Sequence, residues 1–197
     1  MEPEVRTANS NDVPTLAETM SAAFQDDPVM SWLLPDERER PERLRRFFDL
    51  ELRLVGLARG SVWTAADRDG AVISTPPGKW RLPVAVTLSH GPAFTRAFGT
   101  RLPVAGALLQ LMEHRHIREP HHYLAYVGVV PARQGQGLGT QLMLPTLRRC
   151  DERGLPAYLE ATSPRNVALY ERLGFEILDE LRLRDSPPLI RMRRPPA

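Results

Sequence analysis

The sequence predicts an α/β fold, and three observations carry that prediction. Short runs rich in β-branched and aromatic residues alternate with longer runs of helical periodicity along the whole chain. In the second half, a strand beginning near Tyr123 runs into a turn holding Gly135, Gly137 and Gly139, and an amphipathic run follows at once. That is the order of a strand feeding a glycine-rich loop that opens a helix. A length of 197 residues suits one domain with a substantial core, and no break in composition marks a second, so residues 1–197 are expected to form a single unit.

Residues 4–8 read as the first strand. Asn9, Ser10, Asn11 and Asp12, all residue types that cap helix N-termini, precede a helix over 13–24. Asp26, Asp27 and Pro28 break it. Leu44, Phe47, Phe48, Leu50, Leu54 and Leu57 are spaced as the buried side of a second helix over 43–59, which Gly60 closes. Two β-branched runs, 62–64 and 71–75, flank a turn signature between Asp67 and Gly70 and predict a hairpin, ended by Pro76, Pro77 and Gly78. Residues 81–117 are helix-prone, with breaks near Gly91 and at Gly99. A helix over 138–153 follows the glycine turn, and residues 154–162 read as another strand. Ser163 is then an N-cap with Pro164 at the first helical position, Gly174 stops that helix, and 175–184 and 189–193 read as terminal strands.

Formal net charge is +2 with a pI near 9.0, and Lys79 is the only lysine among the basic residues. The arginines between Asp36 and Arg43 are interspersed with acids, a mixed solvated surface and not the basic stripe that nucleic acid requires. No nucleic-acid partner is expected, while a mild positive balance favours a polyanionic small ligand. The N-terminus lacks the apolar stretch of a signal peptide and no run reaches membrane-spanning length, so a cytoplasmic protein without a membrane partner is expected. Cys150 is the sole cysteine, which excludes an intrachain disulfide and points to a structural role.

The glycine turn allows three readings. Glycines without Cβ atoms let backbone N–H groups converge on phosphate oxygens at the positive end of a helix, so each reading is a nucleotide cradle. A P-loop requires G-x-x-x-x-G-K-[ST], and no lysine lies here. A dinucleotide fingerprint G-x-G-x-x-G counted from Gly135 places its third glycine at Thr140, and polar residues from Pro131 to Gln134 interrupt the strand where that fold runs straight into its first glycine. The third pattern, Q-x-x-G-x-G at Gln134, Gly137 and Gly139 after a strand ending in Val127, Val129, Val130 and Pro131, matches at every position. It resembles motif A of the GCN5-related N-acetyltransferases, which bind acetyl-coenzyme A. The run from Ser163 through Asn166 and Tyr170 to Gly174 and Phe175 resembles motif B of the same family. Across most of the chain, with matches at Arg6, Asn11, Pro14, Trp63, Thr75, Glu119, Pro120 and Pro145 and strongest over 119–175, it looks like puromycin N-acetyltransferase and its relatives.

The resemblance implies a mixed, largely antiparallel sheet of six to seven strands with helices on both faces. It implies acetyl-coenzyme A as cofactor, with the pyrophosphate on Gln134, Gly135, Gln136, Gly137, Leu138, Gly139 and Thr140. Val127 and Val129 are expected to pair with the pantetheine amides as an added strand would, and a backbone N–H there to polarise the thioester carbonyl. Asn166 and Tyr170, four apart on one helix face, point at the same ligand. Tyr170 is the expected acid for the departing thiolate, its alternative being a core tyrosine. Glu160 is the expected acceptor of the amine proton through water, its alternative being a carboxylate that orders the adjoining loop.

Acceptor identity is less legible. Asp27 lies in a segment that contributes to the acceptor site in this family and is suited to a cationic amine, although turn chemistry explains it equally. His122 is the second expected acceptor residue. The puromycin enzymes carry aromatic residues near both positions, which separates this chain from them. His114, His116, His121 and His122 lack a second ligand pair, so no metal is expected. The expected activity is acetyl transfer to a primary amine of a small molecule, an aminonucleoside or other antibiotic among the options, by a monomer or homodimer. A non-catalytic acetyl-coenzyme A sensor, or an enzyme acting on a peptide or protein amine, is the alternative.

Overall fold

The computed structural model describes residues 4–197, and the sheet at its centre has seven strands. Strand β1 (Val5–Thr7) leads through a 3-10 turn into α1 (Val13–Ala23), and a short helix α2 (Pro28–Leu33) precedes α3 (Arg40–Glu51). The hairpin is β2 (Ser61–Ala65) with β3 (Gly70–Thr75). Three helices follow, α4 (Val84–Ser89), α5 (Gly91–Phe98) and α6 (Leu102–Arg115). The second half runs β4 (His122–Val129), α7 (Leu138–Glu152), β5 (Ala157–Ala161), α8 (Pro164–Arg172), β6 (Glu176–Leu181) and β7 (Leu189–Arg194).

Helix α2 departs from the expected break. Asp27, extended at ψ 130°, accepts the N–H groups of Val29 and Met30 on one carboxylate oxygen, and Pro28 occupies the first helical position. The same residues that stop one helix therefore cap the next. Helix α3 begins three residues earlier than expected, with Pro41 in its first turn, and continues as a π-turn over Leu52–Leu57. Its buried stripe is Leu44, Phe47, Phe48, Glu51, Leu52 and Val55, the i, i+3, i+4, i+7 spacing of a core-facing side with one carboxylic acid in it. Helix α7 passes through Pro145, as expected from its apolar periodicity.

Sheet order is β1-β2-β3-β4-β5-β7-β6, all neighbours antiparallel except β4 and β5. That parallel pair joins at only His122 with Ala157 and Tyr123 with Tyr158. Beyond Tyr123 the strands part. One face of the sheet packs on α1, α3 and α5 through Leu16, Met20, Leu44, Phe48 and Ile73, and the other on α7 and α8 through Leu124, Leu142, Met143, Leu159 and Met192. Each such side chain contributes roughly 1.5–3 kcal/mol by leaving water. Cys150 is buried in the second of these layers.

Candidate functional site

The divergence of β4 from β5 leaves main-chain groups without a neighbour. Gly70 faces Val129, Ala71 faces Gly128 and Val72 faces Val127, while the Val130 N–H donates to the Asp69 carbonyl at 2.9 Å. In an antiparallel ladder bonded and non-bonded pairs alternate, so Gly128 turns its polar groups toward β3 whereas Val127 and Val129 turn theirs toward the slot. The Val129 carbonyl is taken by the Gln134 side-chain amide at 3.0 Å, which ties the strand end to the following turn.

That turn closes on the N-terminus of α7. Gly135 and Gly137 adopt φ of +75° and +82°, the left-handed region where side chains are strained, whereas Gly139 is helical and a Cβ there meets Val129 at an ordinary 3.7 Å. As the N-cap, Gly137 has no side chain to accept a helical N–H. The first N–H groups of α7 lack intrahelical partners by geometry, and those of Gly135, Gln136 and Gly137 find no acceptor among the described residues. An uncapped helix end with converging donors is complementary to a pyrophosphate in charge and in hydrogen bonding. The Gln136 side chain turns back to the Ala132 carbonyl at 2.9 Å.

A cavity of about 570 Å³ runs along this turn and the slot. Val127, Val129, Gln134, Gly135, Gly137, Leu138, Gly139, Thr140, Asn166, Tyr170 and Asp27 line it together. Arg133, Arg165 and Arg172 also border it, cations beside a cradle of N–H donors, and sequence reading passed over them because each sits singly in a polar run. Tyr170 is 7% exposed, packs edge-on against Phe175 with centroids 5.9 Å apart, and makes no side-chain hydrogen bond among the described residues. Burial, and then the Asp27 charge, push its phenol up. The phenol therefore keeps its proton across the working pH range. Asp27 accepts a hydrogen bond from the Thr162 hydroxyl, and burial raises its carboxyl. This contact joins the α1–α2 connection to the end of β5 across the mouth of the slot. Asp27 is thus both a helix cap and a cavity wall.

Glu160 and His122 lie elsewhere. Glu160 faces the opposite side of the sheet, its side chain 2% exposed, where Oε1 accepts the Tyr158 hydroxyl at 2.8 Å and Oε2 has no partner. His122 lines a separate cavity of about 190 Å³ with Ser61, Ser74, Thr146, Arg149 and Arg153, and burial followed by those two arginines lowers its pKa. His114 is exposed, whereas His116 and His121 are buried beside Glu160 and joined to each other. Among the described residues no group of three or more histidine, cysteine or acidic side chains is placed to hold a metal ion.

Two features of the α3 face escaped the sequence reading. Glu51 is buried with no hydrogen-bond partner among the described residues, and desolvation pushes its carboxyl up to about 8. It shares a helix face with Phe47 and Phe48, whose rings meet Tyr126 edge-on at 5.8 and 5.3 Å. Burial, and then the charges of Glu51, Glu160 and Asp27, raise Tyr126 well above the usual phenol range. The signal was present as an acid within an apolar stripe, but its meaning depends on what β4 sets opposite it.

Comparison with known proteins agrees with this geometry. Residues 78–175 match the model of the acetyltransferase (GNAT) family. An uncharacterised N-acetyltransferase of Schizosaccharomyces pombe is 29% identical over 190 residues, covering 86% of this chain and 73% of the relative. A mycothiol acetyltransferase of Nocardiopsis dassonvillei is 42% identical over 64 residues, only 19% of its own length. A Corynebacterium glutamicum structure, described as histone acetyltransferase HPA2 and related acetyltransferase, superposes with a TM-score of 0.78 at 26% identity, covering 100% of this chain and 98% of that one. The PaiA N-acetyltransferase of Thermoplasma acidophilum, solved in complex with coenzyme A, shares the fold with a TM-score of 0.58 at 13% identity, over 99% of each chain.

Proposed function

We propose that this chain, an acyltransferase of the GNAT family, moves the acetyl group of acetyl-coenzyme A to a primary amine of a small molecule. The carrying observation is the uncapped α7 N-terminus, whose free N–H groups continue into the slot where Val127 presents its main-chain groups and Val129 its N–H, the Val129 carbonyl being held by Gln134. Acetyl-coenzyme A supplies an activated thioester there. The N–H groups from Gly135 to Thr140 hold the pyrophosphate, with Arg133, Arg165 and Arg172 adding charge at the rim. Val127 and Val129 align the amide-bearing arm as an extra strand would, and a free N–H beside the thioester oxygen stabilises negative charge as it develops. Asn166 orients the arm.

Tyr170 keeps a proton at its phenolic oxygen for the departing thiolate. Glu160 takes the proton of the acceptor ammonium through water at Oε2, the carboxylate oxygen without a protein partner. A small acceptor is favoured because the Asp27–Thr162 hydrogen bond bridges the mouth of the slot and Phe24 lines it. The puromycin-like pattern extends this to aminonucleosides and related antibiotics as candidate acceptors. Release of free thiol from acetyl-coenzyme A across aminonucleosides, aminoglycosides, polyamines, amino acids and peptides tests the reading. Turnover with a small amine supports it; turnover with peptides alone moves the substrate to the peptide class. Stabilisation by a nicotinamide dinucleotide and not by acetyl-coenzyme A overturns the cofactor assignment, since saturating ligand at about 100 times its Kd adds roughly 2.7 kcal/mol.

A further inference from the structure

Acetyl transfer to an ammonium releases one proton per turnover, and Glu160 sits in an enclosed place from which that proton must leave. Around it the side chains form one connected set. The Tyr158 hydroxyl donates to Glu160 Oε1 at 2.8 Å and itself accepts from Arg191 Nε at 3.0 Å, while Arg191 holds Asp179 at 2.8 and 2.9 Å. Arg115 reaches Asp179 from α6 at 3.0 Å. On the other side of Glu160 Oε1 stands His116 Nδ1 at 3.7 Å. His116 Nε2 lies 2.9 Å from His121 Nε2, and His121 Nδ1 lies 2.7 Å from the Glu119 carbonyl.

These contacts fix the tautomers. A carbonyl only accepts, so His121 carries its proton on Nδ1; when neutral, its Nε2 is then a lone pair, and His116 must donate from Nε2. The proton-free nitrogen of His116 is therefore Nδ1, the one that faces Glu160. Trp80 stacks on the His116 ring with centroids 3.7 Å apart and an interplanar angle of 20°, and Tyr123 and Tyr158 meet it edge-on at 5.0 and 4.6 Å. An indole face stabilises a cation above it. His121 is kept neutral chiefly by burial. The charged groups nearby are Glu119, paired with Arg193, and Arg81, whose guanidinium lies over the Trp80 ring at 4.6 Å.

We propose that His116 receives at Nδ1 the proton that Glu160 takes from the acceptor amine, and holds it as an imidazolium until solvent removes it. The Glu160 carboxyl first turns about its terminal torsion to bring Oε2–H to the His116 side; that O–H bond breaks as the His116 Nδ1–H bond forms, Glu160 returns to carboxylate, and the positive charge rests between that carboxylate, the Trp80 face and the His121 lone pair. An ion-pair separation of 3.7 Å becomes a hydrogen bond with an approach of under about 1 Å. The His116 side chain is 3% exposed, so release of the proton to water waits on local opening around the ring. It acts through Glu160 and is a positioning residue; the step rests on the function proposed for Glu160.

Two measurements test this. In wild-type protein labelled with 15N at histidine, long-range 1H–15N spectra near pH 8 should show His116 protonated at Nε2 and His121 at Nδ1; His116 protonated at Nδ1 overturns the relay. In kcat/KM–pH profiles, Glu160→Gln should cost about 10²- to 10⁴-fold. His116→Gln keeps an N–H donor toward His121 but no basic nitrogen. It should move the acidic limb at least one pH unit lower and reduce the plateau about tenfold. A uniform loss with the limb unmoved means a packing role and refutes the relay alone. A wild-type rate in Glu160→Gln refutes the carboxylate as proton acceptor, while the coenzyme assignment stands on its own binding data. The tautomer measurement holds whether or not the variants fold.

Discussion

On one face of the sheet, the turn from Gly135 to Thr140 gathers its donors from consecutive backbone atoms, whereas on the other face Trp80, His116, His121, Tyr158, Glu160 and Arg191 are drawn together from distant segments. The first construction depends on conformation, and a single φ angle or helix end carries most of it. The second depends on side-chain identity held by packing, so each member owes its position to several others. A substitution in the cradle therefore changes ligand binding directly. One in the network changes the state of a neighbour.

The largest expected effect falls inside the cavity of the cradle. Tyr170→Phe keeps the ring against Phe175 and removes the proton, so single-turnover acetyl transfer should fall about 10²- to 10⁴-fold with coenzyme affinity nearly unchanged. A wild-type single-turnover rate excludes Tyr170 as the acid.

Within the cradle, two glycines separate strain from contact. Gly137→Val forces a β-branched residue to φ near +82°, and both calorimetric coenzyme affinity and melting temperature should drop, the latter by a destabilisation of about 1–2 kcal/mol. Gly139→Ala lies at a helical position with room for a methyl group, so Tm should hold or rise, by up to about 1 kcal/mol of helix propensity. Its coenzyme affinity should nevertheless fall roughly tenfold, near 1.4 kcal/mol, if the ligand reaches this backbone. Unchanged affinity moves the contact away from Gly139.

A third effect is on stability across pH, and it belongs to the opposite face. Glu51 has its folded pKa raised to about 8 from 4.5, so the folded state binds the extra proton between those values. Stability from this group is full below about 4.5 and is lost as pH rises through 8, by a few kcal/mol at most. Denaturant titrations of Glu51→Gln should show a flatter slope than wild type over that window. Parallel slopes would place the Glu51 carboxyl in water.

The contrast also explains what the sequence made legible. Q-x-x-G-x-G, the Ser163 and Pro164 helix start and the four-residue step from Asn166 to Tyr170 are local patterns, and the structure sets Gln134, Gly137, Gly139, Ser163, Asn166 and Tyr170 along one cavity. Strand and helix order came through for the same reason, with α2 absent because Asp27 and Pro28 serve equally as a stop and as a start. For His116 and His121 the sequence argues only against a metal site, since nothing in their own neighbourhood announces Trp80 above one ring or Glu160 beside it. His122 adjoins His121 in sequence, yet strand alternation sends it to the other face, into the cavity of Arg149 and Arg153. Glu51 had a visible anomaly without a visible cause.

The two residue pairs that join β4 to β5 are the weakest seam in a sheet whose other neighbours share three to six. Four strands lie on one side of it and three on the other. A strand-like ligand that hydrogen-bonded along Val127 and Val129 would lengthen that seam and sew the two halves together, and the sheet would lose the stitch each time the site emptied.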